Sequence, residues 1–172
     1  MIFSKQIPTP IGAMLAFAVE EGICLLDYCD NPELDREKRK LKEGFDAELA
    51  EQSNAAIELL ETQLGEYFAG RRKSFSVPLC PMGSDFQKKV WEQLSRIDYG
   101  KTVTYMEQAV ALGKQKAIRA VAGANGANKI AIVIPCHRVV GSTGNLTGYR
   151  GGLWRKKFLL DLESAQRQIE FF

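Results

Sequence analysis

One histidine, two tryptophans and four cysteines are found in 172 residues, and each scarcity excludes something. A single histidine and the absence of any CxxC spacing rule out a zinc-type ligand set built from Cys24, Cys29, Cys80 and Cys136. Four scattered cysteines are also too few for a secreted disulfide scaffold. Cys24, Cys29 and Cys80 read as small apolar side chains, kept as thiols by a reducing compartment. No stretch approaches the roughly 20 apolar residues that span a bilayer. The opening MIFSKQIPTP has neither the basic flank nor the apolar run of a signal peptide. The expectation is a soluble intracellular protein, cytoplasmic or, in a eukaryote, nuclear, with no membrane partner. Internal repeats and low-complexity tracts are lacking too.

What is present is the composition of a globular protein, 45% hydrophobic and 26% charged, with a mean hydropathy of −0.18. At this length a core forms without metals or disulfides. The net charge of +2 hides an imbalance. Residues 1–80 hold 9 Lys and Arg against 14 Asp and Glu, a net −5, and residues 81–172 hold 14 against 7, a net +7. Between Tyr99 and Lys157 ten basic residues face one acid, Glu107. Such a half suits a polyanion, and it equally suits a solvated basic face.

Along the chain, residues 1–30 predict an antiparallel hairpin or three-stranded meander, broken at PTPIG and EEG. NPELDREKRKLKEGFD is a solvated helix or loop. A helix is predicted from about Asp46 to Gly70, with Ile57, Leu60, Leu64, Tyr67 and Phe68 on one face and Gly70 as its cap. The prolines at 78 and 81 mark a linker, which divides the chain into domains 1–80 and 81–172. After it, Ser84 with Gln87 makes a capping box ahead of the stripe Phe86, Val90, Leu94 and Ile97. Thr104 with Glu107 repeats the device, and Gly113 stops that helix. KAIRAVAGANG gives another short helix, so the pair reads as a helix-turn-helix. Its small residues let a foreign backbone lie close, or let the helices pack tightly. KIAIVIPC predicts a buried extended run, RVVGSTGNLTGY a small wing, and GGLWRKKFLLDLES a helix burying Leu153, Phe158, Leu159 and Leu162.

IVIPCHRVVG places the only histidine directly after Cys136. A thiol is mostly protonated at neutral pH, and a histidine base or nearby cations activate it. Arg138 adds a charge. Neighbouring side chains on an extended strand point apart, so Cys136 and His137 need a bend after Pro135 or a bridging water. Glu163 is a candidate to orient the imidazole. On this chemistry alone the pair is weak evidence for a nucleophile, and a structural thiol at the end of a strand explains it better.

PCHRVV resembles the active-site signature of the O6-alkylguanine-DNA alkyltransferases, the methylated-DNA–protein-cysteine methyltransferase family. YGKTVTY, RAVAGANGANKIAIVIPCHRVVGSTGNLTGYRGG and KKFLLDLE follow in that family's order and spacing. TPIG and EYFAGRRKSFSVPL match more loosely. The resemblance implies a ribonuclease-H-like α/β domain, followed by a winged helix-turn-helix-type domain that binds DNA and accepts an alkyl group. It implies direct reversal of O6-alkylguanine, and of O4-alkylthymine, in double-stranded DNA bound through the minor groove by a monomer. No cofactor and no metal are implied.

By the same resemblance, Cys136 is the alkyl acceptor, His137 draws off its proton through a water, and Glu163 fixes the His137 tautomer. Asn128 ties the preceding turn to the nucleophile. Tyr105 donates toward the departing guanine. Arg119 fills the space of the flipped base, with Thr104, Lys116, Ala120 and Gly123 on the DNA side. Val139, Gly148, Tyr149 and Arg150 line the base pocket. Arg150 stands where some relatives carry a small hydroxyl residue, and Lys129 where many carry proline. A soft thiolate suits displacement at an alkyl carbon, a phenol assists a poor leaving group, and a base inside a duplex must be everted. A thioether is inert, so one molecule reacts once. The competing readings are a lesion-binding protein without chemistry, a Cys-His hydrolase and a DNA-binding regulator.

Overall fold

The computed structural model describes residues 1–170, with side chains to residue 165. It divides into two compact units, Met1–Met82 and the stretch from Gly83 onward. The expected end of the second domain at residue 172 lies outside the described residues.

In the first unit, strands β1 (Ile2–Ile7), β2 (Met14–Val19) and β3 (Gly22–Tyr28) form the antiparallel meander. Helix α1 (Leu34–Phe45) follows, and then the two-residue strand β4 (Leu49–Ala50), which pairs in parallel with Ile2 and Phe3. The sheet order is β3-β2-β1-β4. β2 and β3 read as almost unbroken apolar runs because nearly every residue in them is buried. The charged run is indeed a helix. Arg36 with Glu33 and Lys38 with Asp35 pair one turn apart on its outside, while Leu34 and Leu41 face the core.

The helix expected from Asp46 starts later. Asp46 adopts a left-handed conformation (φ 47°) that terminates α1, and β4 occupies the next residues. Helix α2 (Ala55–Phe68) begins only at Asn54, whose side chain accepts from the Ile57 N–H. Ile57, Leu60, Leu64 and Tyr67 are buried. Gly70 (φ 75°) closes the helix, with Gly70 N–H on Tyr67 O and Arg71 N–H on Glu66 O. Cys24 is buried, Cys80 half-buried and Cys29 exposed, so the last is not an interior apolar residue.

The second unit opens with α3 (Asp85–Leu94) behind the Ser84/Gln87 capping box. Strand β5 (Val103–Thr104) leads into α4 (Tyr105–Ala111), capped by Thr104 and Glu107. A 3-10 turn, Gln115–Ala117, joins α4 to α5 (Ile118–Gly126). Two contacts invisible in the periodicity lock these helices. Trp91 Nε1 donates to Ala124 O at 2.9 Å. The buried amides of Gln108 and Asn125 donate to one another at 2.7 and 2.6 Å.

Three expectations need correction. KIAIVIPC is buried at Ile130, Ile132 and Ile134, but it is a chain of turns with Ile132 left-handed (φ 71°), not an extended strand. The cause is Asn128, whose side chain accepts from Ile130 N–H and donates to Ile134 O, wrapping the segment around itself. The wing has one short strand, β6 (Val139–Val140), paired in parallel with β5 and not with a second wing strand. Finally, α6 (Leu153–Glu170) buries Arg155, Lys156, Leu159 and Glu163. Of its four expected core residues only Leu159 is buried, while Leu153 and Phe158 are exposed. The inward face of this helix is charged.

Candidate active site

Cys136 begins a 3-10 turn, Cys136–Arg138, directly after Pro135. The turn supplies the bend that an extended segment would have lacked. Asn128 Nδ2 donates to Cys136 Sγ at 3.2 Å and to Ile134 O at 2.7 Å, so one amide fixes both the loop and the sulfur. His137 is fully buried. Its Nε2 meets Glu163 Oε1 at 2.8 Å, and among the described residues Nδ1 has no hydrogen-bond partner. A carboxylate on Nε2 makes that nitrogen the donor and leaves the lone pair on Nδ1 for the basic role.

Glu163 accepts three further hydrogen bonds, from two residues. Arg138 Nε and Nη2 donate to its two oxygens at 3.0 and 2.9 Å, and Gly100 N–H donates to Oε2 at 3.3 Å. Arg138 Nη1 reaches Ile97 O at 2.6 Å, and the guanidinium lies 5.7 Å from the Tyr99 ring centroid. Burial pushes the Glu163 carboxyl up, yet the hydrogen bonds and charges of His137 and Arg138 outweigh it and hold it at about 2. Burial lowers the basicity of His137, which favours the neutral ring of a resting base, while Glu163 acts in the opposite sense.

The Cys136 thiol is raised by burial, and Asn128, Lys156 and Arg150 act against that rise. Arg138, the cation next to it in sequence, is spent on Glu163. The charges that reach the sulfur come from the wing and from α6. Lys156 was not among the expected site residues. Its side chain is buried, Nζ donates to Thr147 O at 3.0 Å and Gly148 O at 3.2 Å, and it lies 6.0 Å from the Tyr105 ring centroid. Burial lowers its basicity, and Cys136 opposes that. A signal existed: Lys156, Leu159 and Glu163 fall at helical spacing, so a partner for Glu163 on α6 also points Lys156 inward.

Tyr105 Oη donates to Thr147 O at 2.9 Å. Beside it opens a cavity of about 470 Å³ lined by Tyr105, Ile118, Arg119, Ala122, Thr147 and Gly148. Of the expected pocket residues, Gly148 lines this cavity. Val139 is closed off inside β6, and Tyr149 and Arg150, both half-buried, are not in its lining. Lys116, Arg119, Ala120 and Gly123 share one exposed face. A Cβ on Gly123 would meet nothing within 4 Å. Internal packing therefore explains neither Gly123 nor exposed Ala120, although it does explain buried Ala124. Thr104 is occupied as the cap of α4. No three His, Cys, Asp or Glu side chains gather as metal ligands among the described residues, and no helix there is long and apolar enough to cross a membrane.

Fold and site define a class: an α/β unit followed by a helix-turn-helix unit in which a thiol held by Asn128 directly precedes a buried His137–Glu163–Arg138 cluster. Residues 2–81 match the family model of the 6-O-methylguanine DNA methyltransferase ribonuclease-like domain, and residues 85–165 match that of its DNA binding domain. The methylated-DNA–protein-cysteine methyltransferase of Methanosarcina barkeri is 46% identical over 157 residues, 91% of this chain and 94% of the relative. The crystal structure of Mycobacterium tuberculosis O6-methylguanine methyltransferase superposes with a TM-score of 0.81 at 38% identity, covering 96% of this chain and 94% of that one. A structure of the M. tuberculosis protein in complex with DNA gives 0.81 at 37% identity, covering 95% and 94%. The chain belongs to the 6-O-methylguanine DNA methyltransferase family, with a ribonuclease-like α/β fold in its first half and the family's DNA-binding fold in its second.

Proposed function

We propose that this protein repairs DNA by moving the alkyl group of O6-alkylguanine, and of O4-alkylthymine, onto Cys136 Sγ in one irreversible event per molecule. The observation that carries the reading is a half-buried thiol held by Asn128 beside a His137–Glu163–Arg138 relay, within a helix-turn-helix unit. The Cys136 proton passes toward His137 Nδ1, by way of a water, and Glu163 and Arg138 stabilise the ring that receives it. The thiolate attacks the alkyl carbon in line. The S–C bond forms, the C–O6 bond breaks, and the electron pair stays with the guanine. Tyr105 turns its hydroxyl from Thr147 O to the departing base and offsets that charge. A thioether remains, and nothing in the relay is placed to hydrolyse it.

The protein binds double-stranded DNA as a monomer through the minor groove, in the compartment that holds the DNA. Arg119, Ala120 and Gly123 on the exposed face of α5 meet the duplex together with Lys116 of the preceding 3-10 turn, and Thr104 caps the start of α4. An everted base passes through the cavity between Tyr105 and Gly148 toward Cys136, with the half-buried Tyr149 and Arg150 of the wing next to Gly148 meeting it beyond that lining and Val139 supporting the site from inside β6, while Arg119 fills the gap left behind. Residues 81–172 act as the DNA-binding and alkyl-transfer domain, and residues 1–80 support them. No cofactor or metal enters the reaction. Incubation with duplex containing O6-methylguanine, followed by intact-mass and peptide mass spectrometry, tests this. One methyl-sized gain on the Cys136 peptide, saturating at one lesion per protein, is expected. Repair of many lesions per molecule, or an unmodified Cys136 after repair, would overturn it.

A further inference from the structure

Two cysteines outside the reactive centre stand side by side. Ile23 of β3 forms an isolated parallel bridge with Leu79, made by Ile23 N–H on Pro78 O at 2.9 Å and Cys80 N–H on Ile23 O at 2.7 Å. The next residue on each strand is a cysteine, so Cys24 and Cys80 are lateral neighbours pointing to the same face. Both sit in one apolar cluster with Ile2, Phe17, Leu34 and Leu41. Strands joined this way run about 4.8 Å apart, inside the Cα window of roughly 4.4–6.8 Å for a disulfide. The approach is close because residue 22 is glycine: a Cβ there would stand 2.4 Å from Pro78 O. The two thiols also sense each other, since burial first and then Cys80 push Cys24 up to about 12.

We infer that Cys24 and Cys80 form an oxidative modification site, closing into an intramolecular disulfide when a low-molecular-weight disulfide such as oxidised glutathione is present. The half-buried Cys80 reacts first. Its thiolate attacks one glutathione sulfur and expels one glutathione, leaving a mixed disulfide. The Cys24 thiolate then attacks Cys80 Sγ and expels the second glutathione. Two protein thiols are oxidised, one oxidised glutathione is reduced to two thiols, and two protons pass from protein to product. The second step is slow because Cys24 resists deprotonation. The product pins the segment Val77–Cys80 to β3 and closes a loop of roughly 55 residues.

Full-length protein is oxidised with glutathione disulfide, quenched with acid and digested with trypsin without reductant. Cys24 lies in the peptide 6–36 together with Cys29, and Cys80 lies in 74–88. The Cys29→Ser variant, altered at an exposed position, removes that ambiguity. In it the two peptides should appear joined, two hydrogens lighter than their sum. Cys80→Ser should abolish the joined species. The oxidised protein should melt several degrees above its reduced form, and Cys80→Ser should show no such difference. A Cys80–glutathione adduct that persists overnight beside an unreacted Cys24 thiol overturns the proposal. So does a link from Cys80 to Cys29 in place of Cys24.

Discussion

The two units treat charge in opposite ways. In the first, Lys5 with Glu58 and Glu61, Arg36 with Glu33, and Lys42 with Glu48 pair in contact with solvent. Its buried Asp27 closes a turn by accepting from Tyr28 N–H and Asn31 Nδ2. In the second, Arg138, Arg155, Lys156, Glu163 and His137 are all buried. Exposed pairs contribute little. Burying ions costs several kcal/mol each, and breaking one partner out of such a set costs more. The first unit buries two separate carboxylates, Asp27 and Glu37, whereas the second gathers buried ions of both signs, and ions gathered at one place mark a functional site. Arg138, Lys156 and Glu163 lie where they act on the Cys136 sulfur or on the His137 ring, whereas Arg155 donates to Gly151 O and lies over the Trp154 ring.

The largest effect is expected at Cys136. Cys136→Ala should reduce methyl acceptance below detection while shifting stability by about 1 kcal/mol or less, because the side chain is only half-buried. Mass spectrometry and a denaturant melt measure the two effects. An alanine protein that still clears lesions would refute the assignment. Next comes Glu163→Gln. It leaves Arg138 and His137 buried without their anion, and should cost about 3–5 kcal/mol in stability. The acceptance rate should fall about 100-fold or more, with the amide free to favour the wrong tautomer. Lys156→Met should be milder, about 10-fold to 100-fold in rate, with the rising limb of the pH–rate profile moved to higher pH as the thiolate loses a cation. A slower variant with an unmoved pH limb would confine Lys156 to holding Thr147 and Gly148.

Acid sharpens the same contrast. Glu163 titrates at about 2 in the fold against an ordinary 4.5, so its contribution is complete above 4.5 and disappears as pH falls toward 2. His137 is also lowered, from 6.5, so protonating it costs stability as pH drops below that value. Both groups make the fold weaker in acid. The Glu163 part is at most about 3 kcal/mol. Urea melts of the wild type between about pH 5 and pH 3 should show the loss, and Glu163→Gln should flatten it. A wild-type midpoint indifferent to pH across that range would contradict the relay.

Fold and site are legible in the sequence wherever local chemistry decides. The capping residues Ser84 with Gln87 and Thr104 with Glu107 fix their helices by spacing alone, and Gly70 and Gly113 mark stops. Illegible parts were those where tertiary partners override pattern. Ile130, Ile132 and Ile134 alternate as in a strand, but Asn128 satisfies the backbone of that run and holds it in turns. On α6 the apolar residues favoured Leu153 and Phe158 as core, whereas the helix is rotated to carry Lys156 and Glu163 inward. The Gln108–Asn125 amide pair had no signal, since each is an ordinary helix residue until the other is opposite. Within the candidate site, the motif carried Cys136, His137 and Asn128. The role of Arg138 depended on which carboxylate lay near it in space.

The smallest effect tests the outer face of α5. Gly123 is exposed and has open space where a side chain would begin, so the fold itself tolerates a larger residue there. Replacing glycine inside a helix even favours the folded chain by about 0.5–1 kcal/mol. If the face is kept small for a duplex to approach, Gly123→Leu should raise the melting temperature slightly while weakening binding to duplex DNA by several-fold to about 10-fold. Reaction with free O6-benzylguanine, which needs the cavity but no duplex, should stay at the wild-type rate. Fluorescence anisotropy with a labelled duplex and an acceptance assay with the free base separate the two. Equal losses in both would place the damage inside the unit, and unchanged DNA binding would return Gly123 to an incidental surface residue.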